Sequence, residues 1–125
     1  MRHREDDEQK ALIAWARCAN YGAGKVGDWL IAIPNGGKRN IKEAARLKAH
    51  GVKAGVSDLF LPVPKHGFHG LWIELKAPKT ATLPAGKPTA AQIDWLSRMA
   101  GQGYMAVLSI GWENAKITIE DYLRD

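Results

Sequence analysis

The chain has 125 residues, the usual size of one domain, and we expect a single domain over residues 1–125. Apolar residues make up 46% of it and charged residues 25%, a balance that excludes a chain disordered throughout. The formal net charge of +5 favours a polyanionic partner, nucleic acid first, although an ordinary, mildly basic soluble protein is the alternative.

The N-terminal region predicts a helix and no export signal. It is charged and has no apolar stretch long enough for a signal peptide or a membrane span, so we expect a cytoplasmic protein without membrane contact. Helical spacing runs over residues 5–19, with Leu12, Trp15 and Ala16 on one stripe. Cys18 lies in the same apolar pattern, and we interpret it as a core residue. As the only cysteine, it excludes an internal disulfide, which fits a reducing compartment.

Basic residues cluster in the next part of the chain. A short apolar strand is predicted over residues 29–33, and a helix over residues 41–50 that Gly51 ends. Six candidate phosphate contacts lie in and around this helix: Lys38, Arg39, Lys42, Arg46, Lys48 and Lys53. Such contacts bind DNA without reading its sequence and weaken as salt rises. For any single one of them a solvated helix face is the alternative, whereas the cluster as a whole favours DNA.

The rest of the chain alternates between apolar strands and one long helix. We predict strands at residues 57–61, 71–76, 104–110 and 116–119, a hairpin turn at 65–70, and a helix at 89–102. On that helix Ile93, Leu96 and Ala100 are expected to point inward. The order of helices and strands predicts an α/β fold, with one mixed β-sheet flanked by helices.

An acid and a base stand two residues apart on the predicted strand 71–76. Residues with this spacing point to the same face of a strand, so Glu74 and Lys76 project together while Ile73 and Leu75 face the core. If Asp58 lies on the neighbouring strand, it meets Glu74 across the pair. The alternative is a surface strand whose charged side chains simply face solvent, because an isolated acid-x-lysine pattern is common.

Two facing carboxylates indicate a metal site. They repel each other unless a cation lies between them, and oxygen ligands favour Mg²⁺ or Mn²⁺. The backbone carbonyl of Leu75 is a further candidate ligand, whereas the four histidines lack the tight spacing of a zinc site. Lys76 would lie beside the attacking water. Because a lysine is ordinarily a cation at neutral pH, we expect it to act by its charge and position and not as a general base.

The order of these motifs resembles the VRR-NUC family, the virus-type replication-repair branch of the PD-(D/E)xK nucleases. The resemblance covers nearly the whole chain and depends on Gly55-Val56-Ser57-Asp58-Leu59, a hairpin, Ile73-Glu74-Leu75-Lys76, a loop, Gln92-Ile93-Asp94-Trp95-Leu96, and Gly103-Tyr104 before an apolar strand. It implies a restriction-endonuclease-like fold. Ser57 stands where the superfamily usually has proline, a residue that stiffens the turn but supplies no ligand.

The resemblance also implies the roles of individual residues. Asp58 and Glu74 would bind the divalent metal, and Lys76 would be catalytic. A glutamate of the first helix would join them. We favour Glu5 over Glu8 because Gln9 follows it by four residues on the same helix face, which resembles the family's pattern of a glutamate followed by Gln or Glu at that spacing. Gln92 would contact substrate or metal-bound water, and an ordinary polar residue in the first turn of a helix is the equal alternative.

The function implied by the resemblance is a structure-selective DNA endonuclease. It would be a Mg²⁺- or Mn²⁺-dependent homodimer that cuts branched DNA such as four-way junctions or flaps, like the short stand-alone members of phages and bacteria. Lys79 and Lys87 would form a second wall of the DNA site. Trp72 and Trp112 are candidates for base stacking, although core packing is the favoured interpretation. Two other functions remain open: a non-catalytic DNA-binding module on the same fold, and a small basic RNA-binding domain.

Overall fold

Four helices and six strands make up residues 4–34 and 41–125, the part of the chain described by the structure, a computed structural model. In chain order they are α1 (Arg4–Cys18), β1 (Asn20–Tyr21), β2 (Gly24–Lys25), β3 (Ile31–Ala32), α2 (Ile41–Ala49), β4 (Leu59–Leu61), β5 (Leu71–Lys76), α3 (Ala90–Gly101), β6 (Met105–Ile110) and α4 (Trp112–Leu123), with a 3₁₀ turn (Val26–Asp28) before β3. Within these residues no helix combines the length and the apolar character needed to cross a membrane.

A four-stranded mixed sheet organises the molecule. Its strand order is β3-β4-β5-β6, and β1 and β2 form a separate small hairpin. β4 runs antiparallel to both β3 and β5, whereas β6 runs parallel to β5 along its whole length. The predicted α/β class, with a mixed sheet flanked by helices, is confirmed.

The hydrophobic core lies between one face of the sheet and the helices α1 and α4. The sheet contributes Leu71, Ile73 and Leu75, whose side chains alternate to this face and are fully buried. α1 contributes Leu12 and Ala16, as the helical stripe in the sequence predicts. The opposite face of the sheet carries Glu74 and Lys76, so the core packing sets the direction in which these two charged side chains point.

The strand predicted at residues 116–119 is wrong, because this segment belongs to helix α4. Its alternation of polar and β-branched residues is typical of a strand. In the folded chain, however, Ala115, Ile119 and Tyr122 form a helical stripe that is buried against the core. Burial of that stripe outweighs the weak β-propensity of the segment.

Three side chains that were predicted to be buried are exposed. Cys18 is exposed, because it lies two residues beyond Ala16 and so points away from the buried stripe of α1. On α3 the side chain of Ile93 is 54% exposed and Ala100 is exposed, whereas Leu96 is half-buried as predicted. The inward stripe of α3 is set by its aromatic contact with the sheet, in which Trp95 meets Trp72 edge-on at 5.4 Å between ring centroids.

The turn before β4 packs tightly against the start of α3. Gly55 has a φ of +85°, and a Cβ atom there would lie only 2.4 Å from the backbone oxygen of Ala91. Glycine is therefore needed at this position for both its backbone conformation and its lack of a side chain. The contact fixes the segment that leads into Asp58.

We predict that Gly55→Ala destabilises the fold more than Gly67→Ala does. Gly67 has nearly the same φ, +84°, but open space where its Cβ would be, so it isolates the conformational cost of roughly 1–2 kcal/mol. Gly55→Ala adds the clash with Ala91. Urea denaturation measures both free energies of unfolding, and equal losses in the two variants would contradict the packing described for Gly55.

Candidate active site

The pairing of β4 with β5 brings the two predicted acids together. Leu59 is opposite Ile73 in the antiparallel register, and the next position along places Asp58 opposite Glu74. The Oδ2 of Asp58 accepts a 2.7 Å hydrogen bond from the backbone N–H of Leu75. In a strand, the N–H and carbonyl of one residue point to the same side, and successive residues alternate between the two sides. The carbonyl of Lys76 points to the β6 side, where it accepts from the N–H of Gly111. The N–H and the carbonyl of Leu75 therefore both point to the other side, toward β4. Asp58, Glu74 and this carbonyl therefore lie together on the side of β5 that faces β4.

Glu74 is a completely buried acid that receives no hydrogen bond. Its exposed fraction is 0%, and no donor reaches either carboxylate oxygen among the described residues. Burial, the largest cause, and the neighbouring carboxyl of Asp58 together raise the pKa of Glu74 to about 8; Asp58 acts both as a hydrogen-bond partner of the protonated form and as a negative charge. Lys76 opposes the shift. Without another cation, the folded site favours a proton on Glu74.

Lys76 lies between two acids on the same side of the sheet. Its Nζ is 3.7 Å from Oε2 of Glu74 and 3.6 Å from Oε1 of Glu5, and its side chain is only 6% exposed. The ammonium is buried, so movement away from these acids would leave its charge in a poorly solvated environment beside the equally buried Glu74. Glu5, whose side chain is 47% exposed, is the solvated partner. Glu5 reaches this pair from the first turn of α1.

The structure separates the two glutamates that compete for the position on helix α1. Glu5 contacts Lys76, whereas Glu8 accepts a 2.9 Å hydrogen bond from the backbone N–H of Trp112 through its Oε1. That N–H lies in the first turn of α4, whose N-cap is Gly111 and supplies no capping side chain. Glu8 therefore caps a neighbouring helix, and Glu5 is the acid that lies beside the site.

Gln92 has a capping contact in the first turn of α3. Its Oε1 accepts from the backbone N–H of Thr89 at 2.8 Å, and its own N–H donates to the Thr89 hydroxyl at 3.2 Å. This reciprocal pair is a capping box. Within the described residues no hydrogen bond or ion pair joins Gln92 to the Asp58–Glu74 pair. The contacts of Gln92 match the alternative of an ordinary residue in the first turn of a helix.

The donor set at this edge of β5 fits a hard divalent cation. In residues 4–34 and 41–125 no group of three or more acidic, histidine or cysteine side chains could hold a metal, so only two carboxylates are available here. Mg²⁺ commonly binds to one or two carboxylates and completes its shell with other oxygens. The orphaned oxygens of Glu74, the neighbouring Asp58 and the carbonyl of Leu75 are such ligands, and a cation between the acids would replace the proton on Glu74.

The predicted DNA contacts lie partly outside the described residues. Lys38 and Arg39 belong to the segment 35–40, which the structure does not describe. Arg46, Lys48 and Lys53 are exposed, and the last two line a cleft of about 560 Å³ between α2 and the segment that leads to Asp58. Arg46 is engaged with Glu43 at 2.9 Å, which lowers its availability for phosphate.

The remaining DNA-binding candidates are two tryptophans and two lysines. Trp72 stacks on Phe60 at 4.2 Å between ring centroids, and Trp112 packs against the core, so packing accounts for both tryptophans. Lys79 and Lys87 are exposed in the loop between β5 and α3. Two further residues, which the sequence did not indicate, belong to this part of the structure. Gly86, in the loop, lies over Lys76, and Arg4 of α1 donates a hydrogen bond to the loop. No motif in the sequence marks either residue.

The raised pKa of Glu74 predicts how stability depends on pH in the absence of metal. Between pH 4.5 and 8 the folded state keeps a proton on Glu74, whereas the unfolded chain, with a pKa of 4.5, has released it. The stability that this proton contributes is therefore full below pH 4.5 and is lost as the pH rises to about 8. We expect a fall of a few kcal/mol across this window, at roughly 1.4 kcal/mol for each unit of pKa difference. Urea denaturation in a chelator at several pH values measures it.

Glu74→Gln is the matched control for that measurement, because the amide has nearly the same shape and does not titrate. Its stability should be flatter over the same window, and Mg²⁺ should stabilise the parent more at the upper end of the window than at the lower. An identical pH dependence in the parent and in Glu74→Gln would contradict the pKa shift.

Comparison with known proteins gives a match to a solved structure. No family model and no curated protein matches the sequence. A solved structure described as a VRR_NUC domain protein is 30% identical, with a TM-score of 0.81, over 98% of this chain and 89% of that one. Agreement over nearly the full length of both chains, in sequence as well as in fold, confirms the family that the motifs predicted. The chain belongs to the VRR-NUC family of nuclease domains.

Proposed function

We propose that the protein is a Mg²⁺- or Mn²⁺-dependent DNA endonuclease that cuts branched DNA such as four-way junctions or flaps. Membership of the VRR-NUC family supports a nuclease-type function in DNA processing. The observation that carries the proposal is Glu74, a fully buried carboxylate without a hydrogen-bond donor that faces Asp58. A protein that only binds DNA gains nothing from two neighbouring carboxylates, whose charges repel each other and the DNA backbone.

Asp58, Glu74 and the carbonyl of Leu75 would hold the cation. The chemistry that such a cation would supply is Lewis-acid stabilisation of the charge on the scissile phosphate and acidification of an attacking water. The protein contributes the fixed geometry. The hydrogen bond from Leu75 N–H orients the carboxylate of Asp58, and the packing of Ile73 in the core directs Glu74 to the same edge.

Lys76 would supply a fixed positive charge beside the scissile phosphate. Its ammonium is already held by Glu5 and Glu74, so it need not reorganise as negative charge develops. Glu5 would orient Lys76 and the attacking water. We propose for Gln92 a contact with substrate through its amide nitrogen, because its oxygen is occupied by Thr89.

The test is cleavage of junction, flap and linear DNA in Mg²⁺. We predict that the parent cuts branched DNA, and that Glu74→Gln and Lys76→Met each lower kcat by at least about 100-fold while DNA affinity is retained. If the parent cuts none of the substrates, and neither substitution alters its binding of DNA or of Mn²⁺, the protein is instead a non-catalytic DNA-binding module.

The two glutamates of α1 provide an internal control for the same assay. Glu5→Gln should lower kcat, because it removes a charge that contacts Lys76. It should cost little stability, because the side chain of Glu5 is about half exposed. Glu8→Ala should instead cost about 0.5–2 kcal/mol of stability, since it removes the cap of α4. The assignment of Glu5 fails if Glu8→Ala impairs the chemical step and Glu5→Gln does not.

Helix α2 and the basic residues around it would bind the DNA backbone. Lys38, Arg39, Arg46, Lys48 and Lys53 precede Asp58 in the chain, and the exposed members present positive charge to solvent. A two-fold dimer would place two such surfaces and two sites on a branched substrate, whose strands must be cut at two positions.

We predict that Lys48→Ala and Lys53→Ala together weaken DNA binding without regard to sequence. Each lost phosphate contact should lower the slope of log affinity against log salt by about 1. Binding titrations in a chelator, at several salt concentrations, measure this slope while cleavage is suppressed. Arg124→Ala, which removes an exposed arginine paired with Asp121 at 2.8 Å, is the control and should leave the slope unchanged.

A further inference from the structure

The loop between β5 and α3 folds back over the Lys76 end of the site. The N–H of Gly86 donates a 2.9 Å hydrogen bond to the carbonyl of Ala77, which closes residues 77–86 into a compact loop. Inside it the hydroxyl of Thr80 accepts hydrogen bonds from the N–H groups of Thr82 and Leu83. The loop therefore has its own turn and a closed base, and it is not an open connection.

Arg4 ties this closed loop to helix α1. One guanidinium nitrogen donates to the carbonyl of Pro78 at 3.2 Å, and the other donates to the carbonyl of Pro84 at 3.1 Å. These carbonyls stand on the two opposite limbs of the loop. A planar guanidinium can hold both at once, whereas the single ammonium of a lysine is a point donor on a flexible stem.

Gly86 is the point at which the loop covers the catalytic pair. A Cβ atom on Gly86 would lie 3.3 Å from Oε2 of Glu5 and 3.4 Å from both Cβ and Cδ of Lys76. Its backbone conformation is not one that favours glycine, so what the position requires is space. The bare backbone of Gly86 thus lies against the stem of Lys76 and one carboxylate oxygen of Glu5, and it keeps water from that side of the lysine, whose side chain is only 6% exposed.

We propose that Arg4 is a positioning residue of the nuclease reaction, which acts through the loop and Gly86 on the Glu5–Lys76 pair. By holding both limbs of the loop to α1, it keeps the ammonium of Lys76 covered and fixed between Glu5 and Glu74. The catalytic consequence rests on the proposed nuclease function, whereas the covering of Lys76 does not depend on it.

Acylation of lysines tests the covering without any need for cleavage. The folded protein is treated with an amine-acylating reagent, and the rate at each lysine is followed by peptide mass spectrometry. In Arg4→Ala we expect Lys76 to react about tenfold faster than in the parent, with exposed Lys48 and Lys53 unchanged. Hydrogen exchange at the Gly86 amide should accelerate, whereas exchange within β6 should not. Arg4→Lys should fall between Arg4→Ala and the parent, and Arg124→Ala should match the parent.

Kinetics on cleavable DNA then tests the consequence. Arg4→Ala should lower kcat about tenfold, because Lys76 acts in the transition state. KM should be unchanged, because the basic residues around α2 bind the DNA. Arg4→Lys keeps the charge and guards against a failure of Arg4→Ala to fold. The proposal is overturned if Lys76 reacts at the parental rate in both variants, if all lysines gain equally, or if only KM changes. A protein that cuts no DNA but shows the selective acylation would refute the nuclease function and leave the covering of Lys76 established.

Discussion

The site depends on the burial of one acidic side chain, Glu74, opposite a second acid. Taking a carboxylate out of water without a hydrogen-bond donor is among the more costly arrangements in a protein, and here the strand geometry imposes it. Ile73 and Leu75 pack in the core, so the residue between them must point to the opposite face, where Asp58 stands across the strand pair. The same packing that stabilises the fold therefore destabilises the site as long as Lys76 is the only cation beside Glu74 among the described residues. A divalent metal would relieve this strain, and a proton on Glu74 is the alternative.

Helix α1 serves the site through its first two turns. Arg4 holds the loop between β5 and α3, Glu5 contacts Lys76, and Glu8 caps α4. The helix itself is anchored by Leu12 and Ala16 in the core, about two turns further along. Because the anchored and the functional parts belong to one rigid element, the positions of the three charged residues follow from the packing of the apolar stripe. The packing that stabilises the core therefore also forms the site.

The sequence was sufficient for features that depend on local periodicity. The period of two in strand 71–76 correctly placed Glu74 and Lys76 on one face and Ile73 and Leu75 on the other. It failed at the segment 116–119, where an alternating pattern is equally consistent with a helix whose stripe is Ala115, Ile119 and Tyr122. Only the presence of a surface to bury that stripe decides between the two, and that surface comes from α1 and the sheet.

By itself the sequence determined the class of fold and the order of the motifs, and the spacing along one strand paired Glu74 with Lys76. Asp58 was added as a candidate by an inferred strand pairing and by the resemblance of the motif order to the family. Tertiary structure decided which glutamate of α1 lies beside Lys76, since Glu5 and Glu8 are only three residues apart and differ in whether Lys76 or the N-terminus of α4 is within reach. It alone placed Arg4 and Gly86 at the site. Their contacts join parts of the chain about 80 residues apart, and no local pattern encodes an interaction over such a separation.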